Sequence, residues 1–195
     1  MNEPILKSAR YIAAEYMERV VRPGDIVVDA TMGNGHDTLK LAELVGPTGR
    51  VYAFDVQEQA LQNTEKLLNE RGVLDRVRLI RDSHAEMAGY LKAQPRLIVF
   101  NLGWLPGGDK SVTTLLSSTN RAVDEALDLL MPEGWLIVCC YPGHNEGKRE
   151  LAMLAEKLTA LPPQRFNCLL HVFLNAGEDA PRCFVVQKQA KGNSN

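Results

Sequence analysis

The segment Asp29-Ala30-Thr31-Met32-Gly33-Asn34-Gly35-His36-Asp37-Thr38 decides the fold of this 195-residue chain. It joins a strand that ends in an acid, a turn with two glycines and the start of a helix, the arrangement with which α/β sheets bind nucleotide-like ligands. A dinucleotide fingerprint needs a third glycine where this chain has Thr38. Asp29 would repel a diphosphate but suits the ammonium group of a methionine moiety. The segment therefore favours S-adenosylmethionine as the cofactor, and an ordinary strand-to-helix turn is the alternative.

On both sides of this segment, continuous apolar runs alternate with stretches in which apolar residues recur at the spacing of one helix face. The apolar runs predict strands at 26–29, 51–54, 77–80, 97–100 and 135–140, and the helical spacing predicts helices at about 5–20, 36–44, 57–71, 86–91, 113–130 and 146–161. Two further strands, 166–174 and 182–188, are separated by a connection too short for a crossover helix, so they predict an antiparallel hairpin.

This order of elements predicts an α/β, Rossmann-like class I methyltransferase fold. The sheet is expected to have seven mostly parallel strands, with a C-terminal antiparallel hairpin and helices on both faces. We expect a single domain over residues 1–190 and a disordered tail at 191–195.

Composition limits the possible partners and the compartment. With 45% hydrophobic residues the chain can bury a full core, and its net charge of -2 excludes a globally basic nucleic-acid binder. A local basic patch remains open, with a solvated surface as the alternative. Its candidates are Lys7, Arg10, Arg19, Arg22, Lys110, Lys148 and Arg149.

The cysteines indicate a reducing compartment. Cys139, Cys140, Cys168 and Cys183 lack metal-type spacing, and three of them lie in apolar strand-like runs, which predicts buried free thiols. No stretch resembles a signal peptide, and no apolar run has the length of a membrane span. We therefore expect a cytoplasmic protein without a metal site or a membrane contact.

The cofactor residues should follow the strand ends, since the ligand of a doubly wound sheet lies across them. Gly33 and Gly35 let the backbone approach the cofactor, and Asn34 and Asp37 belong to the same turn. Asp29 would accept a hydrogen bond from the methionine ammonium group, directly or through water.

The adenosine part of the cofactor should lie at the next two strand ends. Asp55 is placed to accept from both ribose hydroxyls, and Gln57 would cover the adenosine; a helix N-cap is the alternative for Asp55. Ser83 and His84 fall where an acceptor for the adenine amino group is expected, and a surface or N-cap role is the alternative for His84.

The methyl acceptor should bind at the ends of the fourth and fifth strands. Asn101 and Trp104 match the Asn-Pro-Pro-aromatic loop with which amino methyltransferases hold a target nitrogen, although the prolines are absent. The loop continues with Asp109 and Lys110. After the fifth strand, Tyr141 and His144 supply a phenol and an imidazole, and a turn histidine is the alternative for His144.

The segments 29–38, 100–110 and 141–147 together resemble a family of small bacterial class I S-adenosylmethionine-dependent methyltransferases labelled rRNA methylases. The resemblance covers nearly the whole chain, and the family includes the tRNA 5-aminomethyl-2-thiouridine methyltransferase. It implies N-methylation of the 5-aminomethyl group on the wobble uridine, in the anticodon arm of tRNA, giving 5-methylaminomethyl-2-thiouridine.

The resemblance gives the residues after the fourth and fifth strands specific roles. An alkylamine is mostly protonated at pH 7, with a pKa of about 10.4, so the site must bind or create the neutral amine. Asn101 and Asp109 would orient the amine, and Asp109 or His144 would receive its proton. Stacking on the uridine would come from Trp104 or Tyr141, and phosphate contacts from Lys110, Lys148 and Arg149.

Several alternatives stay open. The chain can instead methylate rRNA or a small amine, bind S-adenosylmethionine as a non-catalytic regulatory module, or use a nucleotide sugar or NAD. Whether a homodimer supplies the missing basic surface is also open.

Overall fold

The computed structural model describes residues 8–104, 107 and 114–190, and these form a mixed sheet of seven strands. The strands are β1 (Ile26–Asp29), β2 (Arg50–Asp55), β3 (Val77–Arg81), β4 (Leu97–Asn101), β5 (Trp135–Cys140), β6 (Phe166–His171) and β7 (Arg182–Lys188). Their order is β3-β2-β1-β4-β5-β7-β6. The first five are parallel, and β7 lies antiparallel between β5 and β6. The predicted fold class is therefore confirmed.

Helices cover both faces of this sheet. They are α1 (Ala9–Val20), α2 (His36–Val45), α3 (Glu58–Glu70), α4 (Leu116–Leu129) and α5 (Asn145–Thr159). Met17, Leu41 and Leu68 from the first three pack in one core cluster, whereas Val123 and Leu154 from the last two pack in the other.

Neighbouring residues of one strand belong to opposite clusters. Val27 packs with α1 and α2, and Val28 packs on the other face with α4 and α5. Cys139 and Cys140 divide in the same way. Because both faces are covered, the strands read as continuous apolar runs rather than as alternating ones.

Two of the differences from the predicted element boundaries are explained by local hydrogen bonds. The predicted short helix at 86–91 is a 3-10 helix, His84–Gly89, which begins earlier because the Ser83 hydroxyl accepts a hydrogen bond from the Ala85 amide at 3.2 Å. The predicted strand 166–174 ends at His171, since the chain then turns, with the Ala176 amide donating to the Phe173 carbonyl at 3.1 Å.

The cysteines are free thiols. Cys139, Cys140 and Cys183 are buried, whereas Cys168, on the edge strand β6, is exposed. Within the described ranges, no helix has the length and apolar character needed to cross a membrane. The same part of the chain holds no group of three or more His, Cys, Asp or Glu residues arranged to hold a metal ion.

The strand order reverses between β1 and β4. β1 pairs with β2 on one side and with β4 on the other, so the connections from these two strands leave the sheet in opposite directions. A crevice opens at the carboxyl ends of such a pair, and the turn after β1 lies within it.

Candidate active site

A cleft of about 540 Å³ lies over the carboxyl ends of the parallel strands. Most of the side chains predicted from the sequence line it, namely Gly33, Asn34, Asp37, Asp55, Gln57, Ser83, His84, Asn101, Trp104, Tyr141 and His144. The structure therefore brings together residues from five strand ends. Asp109 and Lys110, predicted for the same site, and Lys7 lie outside the described residues.

The two glycines of the turn have different tasks. Gly33 has a φ of 52° and donates its amide to Asp55 Oδ2 at 3.1 Å, so its backbone forms part of the cleft wall. Gly35 has a φ of 80° but does not line the cleft. A Cβ at this position would lie 2.8 Å from the side chain of Thr64, so Gly35 allows α2 to begin close against α3.

Asp29 lies beneath the turn and does not line the cleft. Its side chain accepts hydrogen bonds from Thr38 Oγ1 at 2.6 Å and from the Thr31 amide at 3.2 Å, and the residue is 1% exposed. Burial, reinforced by the nearby charge of Asp37, raises the pKa of Asp29 to about 7. This placement argues against the direct ammonium contact expected from the sequence, because Asp29 instead fixes the turn.

Asp55 extends from the end of β2 into the cleft. Its two carboxylate oxygens accept from the Gly33 amide at 3.1 Å and from the Gln57 amide at 3.0 Å. Desolvation is the largest effect on this group and raises its pKa. A carboxylate has about four acceptor positions, so acceptor capacity remains for a ligand diol.

His84 presents an acceptor in the wall of the cleft. Its Nδ1 lies 3.1 Å from the Ala30 carbonyl oxygen, which can only accept, so Nδ1 carries the hydrogen and Nε2 has the lone pair. Nε2 is buried and has no hydrogen-bond partner within the described part of the chain. Burial lowers the pKa of His84, which keeps the ring neutral. Ser83, rather than His84, caps the 3-10 helix.

Asn101 is held at two points. Its amide donates to Thr31 Oγ1 at 2.7 Å, and its side-chain Nδ2 donates to Asp37 Oδ2 at 3.2 Å. The second bond fixes which end of the carboxamide faces α2 and leaves Oδ1 as an acceptor. The other oxygen of Asp37 lies 3.7 Å from Nε of Arg10, a residue of α1. From the sequence, Arg10 is a candidate only for a basic patch, because α1 precedes the cofactor motif and shows only an amphipathic stripe.

His144 caps helix α5 and contacts Trp104. Its Nδ1 accepts from the Gly147 amide at 3.1 Å, so in the neutral ring the hydrogen is on Nε2, which is buried without a partner in the described residues. The two ring centroids are 4.8 Å apart. This arrangement argues against His144 as the proton acceptor, since a second proton would have to displace the cap.

Tyr141 lines the cleft at the end of β5. Burial, together with the nearby Cys139 and Asp37, raises the pKa of its phenol, which therefore stays protonated at neutral pH. A Cβ on Gly147 would lie 2.1 Å from the Tyr141 carbonyl oxygen, so α5 can begin here only because residue 147 is glycine.

The segment between β4 and α4 is closed at its base. Gly103 and Thr114 exchange two hydrogen bonds of 3.1 Å, from the Thr114 amide to the Gly103 carbonyl and from the Gly103 amide to Thr114 Oγ1. Glu146 of α5 accepts from the Leu116 amide at 3.0 Å and so holds the start of α4. We call the Gly103–Thr114 pair the loop base.

The predicted phosphate-binding residues of α5 lie outside the cleft. Lys148 is ion-paired with Asp179 at 3.1 Å, and Arg149 with Glu146 at 3.6 Å, both at exposed positions.

Sequence reasoning missed several lining residues. They are Arg10, Ala30, Thr31, Met32, His36, Phe54, Val56, Asp82, Leu102, Gly103, Thr114, Leu115 and Ser118. The sequence offers a clue for only three of them, Thr114, Leu115 and Ser118, because these residues follow the polar segment after β4 that was predicted to belong to the site.

A family model described as "Putative rRNA methylase" matches residues 51–187 of the chain. A curated relative from Arabidopsis thaliana, "tRNA (mnm(5)s(2)U34)-methyltransferase, chloroplastic", is 36% identical over 179 residues. The match covers 87% of this chain, and the chain spans 65% of that relative's length.

Two solved structures are similar over nearly their whole length. A "putative rRNA-methylase" from Clostridium thermocellum is 37% identical with a TM-score of 0.91, and the match covers 94% of this chain and 98% of that one. A Streptococcus mutans protein described as "a putative methyltransferase", solved in complex with SAH, is 33% identical with a TM-score of 0.85, and the match covers 94% of this chain and 99% of that one.

Proposed function

The chain belongs to the rRNA methylase family, and from this premise we propose that it is an S-adenosylmethionine-dependent methyltransferase. The similar Streptococcus mutans protein was solved with SAH, which we read as S-adenosylhomocysteine, the product that remains after methyl transfer. The cleft over β1 and β4 has the position that this class of cofactor takes in a doubly wound sheet.

The lining residues fit the parts of this cofactor. Asp55 has acceptor capacity for the two ribose hydroxyls, and the buried Nε2 of His84 is an acceptor that matches the adenine amino group. Gln57 and Ser83 line the adenosine side. At the other end, the first turn of α2 offers unpaired amides to a carboxylate, and Gly33 and Asn34 supply the backbone that approaches the methionine moiety.

We propose further that the methyl acceptor is the 5-aminomethyl group of 5-aminomethyl-2-thiouridine at the wobble position of tRNA. The relative from Arabidopsis thaliana is named for this position. The observation that carries the proposal is the hydrogen bond from Asn101 Nδ2 to Asp37, because it leaves the carboxamide oxygen of Asn101 as an acceptor for an amine N–H.

The residues around Asn101 would bind and orient the acceptor. The oxygen of Asn101 accepts one N–H, so that the nitrogen lone pair is aimed at the methyl group. Trp104 and Tyr141 offer ring surfaces for the unstacked uridine base, in the way single-stranded RNA loops are usually bound. The cofactor supplies an electrophilic methyl group on a sulfonium. Lys110, Lys148 and Arg149 would contact the phosphates of the anticodon arm.

Mass spectrometry of tRNA nucleosides tests this function. A strain that lacks the gene should accumulate 5-aminomethyl-2-thiouridine, and the purified protein with S-adenosylmethionine should convert it to the methylated nucleoside. An unchanged profile together with methylated rRNA or a methylated small amine would replace the substrate. Cofactor binding without methyl transfer to any RNA fraction would favour a regulatory module.

A further inference from the structure

We propose that Asp37 is a catalytic residue that binds the ammonium form of the substrate amine and accepts its proton before methyl transfer. This inference rests on the proposed function, and it names the proton acceptor of that reaction. The sequence suggested Asp109 or His144 for the task and placed Asp37 with the cofactor.

The reaction needs a proton acceptor at neutral pH. A primary alkylamine has a pKa of about 10.4, so only about one molecule in a thousand is neutral at pH 7. The ammonium form has no lone pair with which to attack a sulfonium methyl group. A group beside the amine that accepts this proton would let the ammonium form, the major species at pH 7, enter the reaction.

Four other titratable groups that line the cleft, Asp55, His84, His144 and Tyr141, are less suited to this step. Asp55 accepts two backbone amides at the end of β2, and His84, at the end of β3, lies on the adenosine side of the cleft. His144 uses Nδ1 to cap α5, and its Nε2 already carries the hydrogen. The Tyr141 phenol is already protonated at neutral pH, and burial raises its pKa further.

Asp37 lines the cleft directly beside Asn101, the residue proposed to hold the amine. It lines the cleft from the first turn of α2 and touches Asn101, whose Nδ2 lies 3.2 Å from Asp37 Oδ2. Its Oδ1 lies 3.7 Å from Arg10 Nε, which is longer than a hydrogen bond and leaves that oxygen able to accept an N–H. Asn101 and Asp37 thus offer two neighbouring acceptors, which suits an ammonium group with three donors.

The charged and titratable surroundings of Asp37 come from three elements. Arg10 approaches from α1, Asp29 lies beneath at the end of β1, and Cys139 and Tyr141 lie at the end of β5. Arg10 is the cation of this set.

The proposed step is balanced in atoms and charge. One N–H bond of the ammonium breaks as its proton moves to Asp37, giving a neutral amine and a carboxylic acid. The amine lone pair then forms the N–C bond while the C–S bond breaks and its electron pair stays on sulfur. The products are a secondary ammonium and a neutral thioether, and Asp37 releases its proton to water.

The variant Asp37→Asn tests the step. The asparagine oxygen can still accept from Asn101, but the amide is not basic. We expect kcat/KM for tRNA to fall about 100-fold or more at pH 7, while affinity for SAH stays within about threefold. The variant should then gain about tenfold per pH unit between pH 7 and 9 as the free amine deprotonates, whereas the wild type changes little.

Asp55→Asn is the matched control. It removes a carboxylate from the cofactor side, so it should weaken SAH binding and give a pH profile parallel to that of the wild type. Parallel profiles for Asp37→Asn, full activity of that variant at pH 7, or a loss of its SAH affinity equal to that of Asp55→Asn would each overturn the proposal.

The same assay separates the two proposals. If the wild-type protein transfers no labelled methyl group to tRNA that contains 5-aminomethyl-2-thiouridine, the proposed function fails. If the wild type does so and the ratio of wild-type to Asp37→Asn rates is independent of pH, the function stands and the role of Asp37 fails.

Discussion

The side-chain amide of Asn101, at the end of β4, donates to the carboxylate of Asp37, in the first turn of α2, at 3.2 Å. These residues are 64 positions apart and come from different walls of the cleft. Their contact connects the turn of the cofactor motif with the strand end that faces the methyl acceptor.

Asn101→Ala should therefore separate methyl transfer from cofactor binding. Removing a group that orients the nucleophile is expected to lower kcat about 100-fold, while calorimetry with SAH gives a dissociation constant within about threefold of the wild type. Asn120→Ala, on α4 and outside the cleft, is the matched control and should keep full turnover. Full turnover of Asn101→Ala would remove Asn101 from the proposed site.

Gly35→Ala should destabilise the protein through a steric clash. The new Cβ would lie 2.8 Å from Thr64. The alanine would also have to adopt the left-handed backbone conformation of Gly35. Urea denaturation should therefore show a loss of about 2–4 kcal/mol in the free energy of unfolding. Gly72→Ala has a similar φ, of 66°, but no atom within 4 Å, and should cost only about 1 kcal/mol. Equal losses in both variants would contradict the packing role of Gly35.

Asp29 should make stability depend on pH. Its pKa is raised to about 7 in the folded state from an ordinary value of 3.8, so the folded state binds the extra proton between these values. The contribution of Asp29 to the free energy of unfolding is therefore highest below about pH 4 and declines by at most about 4 kcal/mol as the pH rises through 7.

Urea denaturation of the wild type and of Asp29→Asn between pH 4 and 8 measures this dependence. The asparagine side chain cannot titrate. The unfolding free energy of the wild type, measured relative to that of Asp29→Asn, should therefore fall as the pH rises. A difference that stays constant across this range would show that Asp29 does not titrate there.

Lys148→Ala/Arg149→Ala should weaken tRNA binding without affecting the cofactor. If these two side chains contact phosphates, the slope of log Kd against log salt should decrease in magnitude by about 1–2. Arg165→Ala is the control, since Arg165 precedes β6 at the opposite end of the sheet. An unchanged slope in the double variant would place the RNA elsewhere.

The positions of all seven strands could be predicted from the sequence, because the buried apolar runs that form most of them have sharp limits. The bounds of β1, β5 and β7 agree with the prediction, and the short connection after β6 correctly indicated an antiparallel pair. The 3-10 helix was displaced because its start depends on the cap by Ser83, which the apolar spacing does not reveal.

The separate tasks of Asp29 and Asp37 could not be predicted from sequence. Both acids flank the same glycine turn, and only the fold shows that one lies beneath the turn while the other lines the cleft. The contact of Arg10 with Asp37 was equally hidden, because it depends on where α1 packs against the sheet. The tautomer of His144 required the helix geometry at Gly147.

The loop base formed by Gly103 and Thr114 has a consequence for divergence. Because Gly103 and Thr114 are hydrogen-bonded to each other, we expect that the residues between 103 and 114 can be exchanged, lengthened or shortened without shifting β4 or α4. If this stretch contacts the methyl acceptor, as we propose, exchanging it between relatives is a direct route to enzymes with new targets that keep the same cofactor cleft.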